Sequence, residues 1–469
     1  NCSKLSVRAL PANLIFYDTE TSGIQKDFSQ ILQCGSIQTN RSFEELAQQN
    51  IGCRPLPWVN PQPKAMLTNK KIESFKSNTS HYQMMSDLHR QWREWTVDGP
   101  GTFVTYNGHA FDEELIRRQF YWNLLDIYLT NTNGNGRLDL FLMLQNLACY
   151  FDNVIEIPLH DGGPGISLKL EDLAAANRIS NEDAHDAIAD CRLMLELLKI
   201  IDGQKPEWID FFISTATKPG MQAAINCKTF LALGEVYRRD RFRYPVVICG
   251  ADNTRPNEIV FFDLSFDPEE IFSLETSDIF SMVNKGGRDG PLKKYKINKT
   301  IPICPQEMIQ DDAIFDMDIN ILIKRAELVK NNTDFHTLVS DAMADRIFNF
   351  KEPEHIEQLI YAGGFPKPSD KELMDDFHRI EEPSYRIKIA RNIEDERFRI
   401  FAERLVCQMY PNEAPDDMQK RYEDFLNQRL NEEGPWGSTE KILAEIEKLK
   451  DSEDKNILNA TESFIKQRN

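Results

Sequence analysis

Short apolar runs parted by turn residues set the pattern at the start of the chain. Leu14-Ile15-Phe16-Tyr17 and the stretch 31–37 are apolar, with Thr21-Ser22-Gly23 between them. This predicts strand, turn, strand. Thr102-Phe103-Val104-Thr105-Tyr106 is a third β-rich run. It gives way to residues 113–120, where Leu115, Ile116 and Phe120 recur at helical spacing. Ile188, Cys191, Met194, Leu195 and Leu198 mark one face of a further helix running toward Ile201. Strands interleaved with helices predict an α/β domain on a central mixed sheet.

The pattern breaks at Asp202-Gly203-Gln204-Lys205-Pro206, which predicts a domain boundary. From about Lys218 to Phe350 the apolar runs are β-like, clearest at Val246-Val247-Ile248 and Ile259-Val260-Phe261-Phe262. Turn-rich stretches at 253–257 and 286–290 divide them, so a small β-rich domain with helical additions is expected. After Lys351-Glu352-Pro353 the spacing becomes helical, with one stripe of Phe398, Phe401, Leu405 and Met409 and another of Ile442, Ile446 and Leu449. The expected units are 1–203, 204–353 and 354–469.

Composition narrows the class. A chain of 469 residues is too long for one compact core, and 41% hydrophobic residues suffice for several. No run approaches the roughly 18 apolar residues of a membrane span, and residues 1–12 lack the apolar core of a secretory signal. Nine scattered cysteines form no CxxC pair, which fits buried free thiols in a reducing compartment. A cytoplasmic protein without membrane attachment is therefore expected, and the Asn-x-Ser/Thr triplets are chance matches. The net charge of −19 argues against a protein that coats nucleic acid non-specifically, yet permits a local basic channel.

The candidate chemistry is acidic. Asp18 and Glu20 follow an apolar strand, and alternation puts both on one face. Two carboxylates held close repel, and a hard divalent cation such as Mg²⁺ or Mn²⁺ relieves that cost. Exposed acids at a strand end are the plain alternative. Asp112 again follows a strand, at the head of a helix, where capping would also explain it. His185 stands at or before the start of the helix that carries Asp190 just over a turn inside, beside its apolar stripe. Asp186 is expected to cap that helix.

Together, Phe16-Tyr17-Asp18-Thr19-Glu20-Thr21, Tyr106-Asn107 with Phe111-Asp112, and the stretch 185–190 resemble the three motifs of the DEDDh exonucleases. Within that group the chain is similar to the bacterial exonuclease I family. Gly136-Arg137-Leu138-Asp139-Leu140, Ile297-Asn298-Lys299 with Cys304-Pro305, and the stretches 184–187, 259–264 and 393–411 carry the likeness. The resemblance implies an RNase H-like exonuclease domain, an SH3-like β domain and a C-terminal helical domain that together close around one strand. It implies two Mg²⁺ ions, with Mn²⁺ as a substitute, about 3.5–4 Å apart. Asp18 would bridge both ions, with Glu20 and Asp190 on the first and Asp112 on the second. His185 would be the general base, and its being His rather than Tyr selects the His subgroup. The implied reaction is 3′→5′ release of 5′-mononucleotides from single-stranded DNA by a processive monomer, in repair or recombination.

For holding the strand, Tyr237-Arg238-Arg239-Asp240-Arg241-Phe242-Arg243-Tyr244 is the densest interleaving of aromatic and basic residues. An exposed basic hairpin is the plain alternative. Arg137 and Lys169 are further candidates for phosphate contacts, and Asn107 either meets the terminal nucleotide or makes a turn. Thr19 and Ser22 stand where the family places aromatic residues, which removes a stacking contact near the 3′ end. The family also implies a partner, the acidic C-terminal tail of single-stranded-DNA-binding protein. Two rival readings remain: an exoribonuclease or proofreading-type exonuclease, and an inactive single-strand-binding protein.

Overall fold

The apolar run after Asn13 becomes the central strand of the first sheet because both of its faces are covered. A computed structural model describes residues 13–180, 186–226, 228–451 and 453–468. Strand β1 (Asn13–Thr21) pairs antiparallel with β2 (Ile31–Thr39), which pairs with β3 (Glu45–Gly52). On its other side β1 runs parallel to β4 (Gly101–Thr105), followed by β5 (Gly136–Asp139). The expected mixed sheet is thus present, in the order β3-β2-β1-β4-β5. Alternation sorts the strand's side chains. Leu14 and Phe16 join a core with Met194 and Leu198, whereas Ile15 and Tyr17 join one with Trp92, Phe103 and Leu115.

Helices supply these covers: α1 (Pro63–Asn69), α2 (His81–Trp95), α3 (Asp112–Trp122), α4 (Leu140–Tyr150), α5 (Leu170–Ala176) and α6 (Ala187–Asp202). Strand β3 was not legible as an apolar run, since half of its residues are polar and its side chains alternate between half-buried and exposed. Next come α7 (Pro206–Thr215) and α8 (Lys218–Ile225). The segment from Lys218 is therefore helical where β-like structure was expected. Thr217 caps it by accepting from the Gly220 N–H, and Pro219 suits its first turn.

The second sheet is antiparallel, in the order β10-β6-β7-β8-β9. Its strands are β6 (Leu231–Tyr237), β7 (Asp240–Ala251), β8 (Glu258–Asp263), β9 (Leu292–Lys296) and β10 (Ile303–Pro305). Arg238 and Arg239 form the two-residue turn between β6 and β7, both at positive φ (49° and 74°), as a tight hairpin demands. Helix α4 serves both sheets. Asn146 Nδ2 donates to the Ala232 and Pro302 carbonyls (3.0 and 3.1 Å), and the Tyr150 hydroxyl donates to that of Leu233 (2.9 Å). One apolar cluster accordingly runs from Leu14 through Trp208 to Met343.

Beyond residue 355 the chain is helical: α13 (Pro368–Arg379), α14 (Pro383–Asn392), α15 (Glu396–Met409), α16 (Asp416–Asn431), α17 (Thr439–Leu449) and α18 (Lys455–Gln467), after α9 (Pro268–Phe272), α10 (Thr276–Lys285), α11 (Ile319–Asn331) and α12 (Thr333–Ala344). These last six helices fold back on the α/β unit. Phe464 stacks on Phe75 at 4.3 Å, and the Tyr121 hydroxyl donates to the Ile356 carbonyl (2.8 Å). No helix among the described residues is long and apolar enough to cross a membrane. All seven described cysteines are buried and unpaired.

The helical segment is fastened by a buried acid. Glu357 accepts from Arg404 (2.8 Å) and Arg429 (2.9 Å), and Arg429 lies 4.2 Å from the Trp436 ring. Burial alone would raise the Glu357 pKa, but the two guanidiniums outweigh it and hold it below the usual value of 4.5. Its stabilising contribution is therefore present above pH 4.5 and is lost as the pH falls below it. Glu357→Ala, which strands two buried cations, is expected to cost about 3–5 kcal/mol in urea unfolding at neutral pH. An unchanged midpoint would show that the pair does not fasten the segment.

Candidate active site

The site begins where β1 meets the start of α6. Asp18 pairs across the ladder with Gly35. A Cβ on Gly35 would lie 2.4 Å from the Ile188 nitrogen, so only glycine lets α6 come this close. That approach brings Asp190, in the first turn of α6, to the two carboxylates of β1. One carboxylate oxygen each of Asp18, Glu20 and Asp190 lies within 4.8 Å of the others. Asp112 starts α3 just past the end of β4 and is 6% exposed. Thr19, on the alternate face of β1, donates to its Oδ1 at 2.5 Å.

Burial and mutual repulsion leave these acids reluctant to ionise. Asp18 is raised well above its ordinary value, first by burial and then by the charges of Asp112, Asp190 and Glu20. Glu20 is pushed up to about 9 by burial and by Asp190, with Lys71 opposing. Asp112 rises to about 6 through burial, moderated by the Thr19 hydrogen bond. Clustered oxygen donors that resist ionisation suit a hard divalent cation, whose charge reverses this logic. The donor set therefore fits a metal ion.

Neighbouring charges are otherwise engaged. Asp186 caps α6 through the Ile188 N–H (3.3 Å), as expected, and also binds Lys71 (2.7 Å) and Gln33 (3.0 Å). Glu113, which sequence reading passed over, is a buried hub. It accepts from the Tyr17 hydroxyl (2.7 Å), the Thr130 hydroxyl (2.7 Å), Arg117 (3.0 Å) and Arg137 (3.0 Å). Burial would raise it, yet Arg137 and Arg117 hold it down at about 2. The local pattern shows only its i,i+4 pairing with Arg117 on the same helix, since its other three partners come from separate segments.

The other expected site residues divide. His185 lies outside the described residues. Asn107 is exposed at a φ of 58°, and its N–H donates to the Asp139 carboxylate (2.8 Å), which suits the turn reading. Arg137 faces inward, its side chain 10% exposed between Glu113 and the Asn298 carbonyl. Lys169 is exposed just before α5. Tyr237, Arg238, Arg239 and Arg241 are exposed around the β6–β7 turn. Arg243 instead turns inward to the Cys149 carbonyl (2.5 Å). Arg288 was not anticipated: it sits 3.7 Å from the Tyr237 ring, delivered by the turn-rich stretch read only as a divider. The hairpin meets the α/β unit where the Ile166 N–H donates to the Arg239 carbonyl (3.0 Å).

Comparison with known proteins extends this picture. Residues 354–468 match the family described as exonuclease I C-terminal domain. The chain is 26% identical over 415 residues to exodeoxyribonuclease I of Buchnera aphidicola subsp. Schizaphis graminum, covering 81% of this chain and 83% of that protein. Its fold matches exonuclease I from Methylocaldum szegediense with a TM-score of 0.81, at 24% identity over 97% of this chain and 99% of that one. Exonuclease I of E. coli in complex with a dA16 oligonucleotide matches with a TM-score of 0.80, at 20% identity over 98% and 100% of the two chains.

Because the acids carry raised pKa values, cation binding must displace protons. Apparent Mn²⁺ affinity is expected to rise with pH between about 6 and about 9, following Asp112 and Glu20. For the metal-free protein the sign is the opposite of that for Glu357. The stability contributed by Glu20 is full below pH 4.5 and is lost as the pH climbs toward about 9. Calorimetric titration in buffers of different ionisation enthalpy reads the proton release, and pH-independent binding without release would contradict the assignment.

Proposed function

We propose, from the premise that this chain belongs to the bacterial exonuclease I family, that it is a 3′→5′ exodeoxyribonuclease. It removes 5′-mononucleotides from single-stranded DNA. The observation that carries the reading is the grouping of Asp18, Glu20 and Asp190, with Asp112 alongside, at the end of the central strand. Asp18, Glu20 and Asp190 would hold one Mg²⁺ and Asp18 with Asp112 a second, Mn²⁺ serving as substitute. Bound there, the ions activate water and neutralise charge at the scissile phosphate.

The chain's own groups do the rest. Thr19 fixes the rotamer of Asp112 through its hydroxyl. Lys71 neutralises Asp186, so this neighbouring carboxylate does not compete for the cation. His185 accepts the proton of the attacking water, as imidazole can near neutral pH. Tyr237, Arg238 and Arg241, with Arg288 behind them, give a base a ring to stack on and the backbone its countercharge. Lys169, three residues beyond the hairpin's contact at Ile166, extends that basic surface toward the α/β unit. The second sheet docks through α4 and the helical segment through Phe75 and Tyr121, and the single strand passes between these units. The enzyme works as a cytoplasmic monomer, and the acidic tail of single-stranded-DNA-binding protein is its partner, met by basic residues of the α/β and second β units.

Digestion of a 5′-labelled single strand and its matched duplex, with Mg²⁺ or with chelator, tests this. Release from the single strand alone, abolished by chelator, is the expected result. Asp18→Ala should reduce the rate by about a thousand-fold, the equivalent of several kcal/mol of lost charge stabilisation. Equal digestion of duplex would refute the held-strand reading, and metal-independent binding without product would leave a binding protein.

A further inference from the structure

The segment of residues 298–300, between β9 and β10, leaves the second sheet and enters the α/β unit beside the turn that leads to Asp112. Thr300 is 4% exposed. Its N–H donates to His109 Nε2 (3.0 Å), and its hydroxyl oxygen lies 3.1 Å from the same nitrogen. That oxygen also accepts from the Asp139 N–H (2.9 Å). Since His109 Nε2 receives the Thr300 amide hydrogen, the ring presents an acceptor there. Lys299 Nζ adds a bond to the His109 carbonyl (3.3 Å), and Arg137 clamps the Asn298 carbonyl (2.8 Å).

The turn itself is gripped from the other side. The Asp139 carboxylate accepts from the Asn107 N–H (2.8 Å) and the His109 N–H (3.1 Å). The Glu113 N–H donates back to the Gly108 carbonyl (2.9 Å), so the position of the turn sets where α3 starts. Asp112 is the first residue of that helix. Thr300 therefore touches both the strand end and the turn that define its place.

We infer that Thr300 is a positioning residue for the nuclease site: through His109 and Asp139, the second β unit holds Asp112 in register with the other carboxylates. The inference rests on the proposed nuclease reading for its consequence in catalysis. Its physical content is that metal binding in the α/β unit depends on a side chain from the unit bearing the Tyr237 hairpin. Groups that orient metal ligands commonly control affinity in this way.

The test uses the full chain and Thr300→Val, which keeps the shape and removes the hydroxyl, with Thr300→Ser restoring it. Thr300→Ala, smaller than the native residue, is the second variant should valine fail to fold. Mn²⁺ binding without DNA is read by electron paramagnetic resonance. Thr300→Val should weaken it about ten-fold, and Thr300→Ser should return it to wild type. In an Asp112→Asn background the Thr300→Val change should add nothing, because both act on one ligand. On a 5′-labelled strand, kcat at limiting Mg²⁺ should fall while KM for the strand stays within about two-fold. Unchanged Mn²⁺ binding, additive effects with Asp112→Asn, or a change confined to KM would overturn the inference. A wild-type protein that binds Mn²⁺ but cleaves nothing would instead sink the nuclease reading, with the Mn²⁺ arms still deciding the role of Thr300.

Discussion

The mutual repulsion of carboxylates on a buried strand end governs how this protein is built. At the separation of Asp18, Glu20 and Asp190, within 4.8 Å, two full charges near a protein surface would repel by about 4 kcal/mol. That is comparable to the roughly 5–15 kcal/mol by which a domain is stable at all. The fold withstands it by anchoring each acid separately. β1 is hydrogen-bonded on both sides, α6 is pressed onto Gly35, and Thr19 ties down Asp112. In the metal-free protein retained protons relieve that repulsion, and a cation takes their place when it binds.

Around that centre the structure spends its buried charge on fixing positions. Glu113 gathers Tyr17, Thr130, Arg117 and Arg137 one residue beyond Asp112. Glu357 does the same between Arg404 and Arg429, far along the chain, where it locks the helical segment. Each carboxylate is matched by two guanidiniums, the condition under which a buried charge specifies geometry at tolerable cost. The two units attached to the α/β domain are joined to it in different ways. The second sheet shares α4 and the apolar cluster of the first. The helical segment holds on through rings and backbone carbonyls.

The arginines show how little charge alone says about role. Arg137, Arg243 and Arg241 look equivalent along the chain. Arg137 and Arg243 turn inward, to the Asn298 and Cys149 carbonyls, while Arg241 is exposed on the hairpin. A guanidinium offers five donors, and those donors satisfy buried carbonyls as readily as phosphates. Which use prevails depends on which surface the backbone turns the side chain toward.

Much of the site was legible in the residues themselves. Alternation along an apolar run puts Asp18 and Glu20 on one face, and helical spacing sets Asp190 beside the stripe of α6, because both periodicities are local backbone geometry. The strands and helices with strong apolar periodicity were legible for the same reason, whereas polar β3 and the helix after Thr217 were not. Tertiary structure alone decided that Gly35 admits α6, that Glu113 is a hub, and that Thr300 from another sheet reaches His109. These depend on segments up to 191 residues apart in sequence. Periodicity reports what a residue's near neighbours impose, while the contacts that place a carboxylate are made by whichever distant backbone the packing brings alongside.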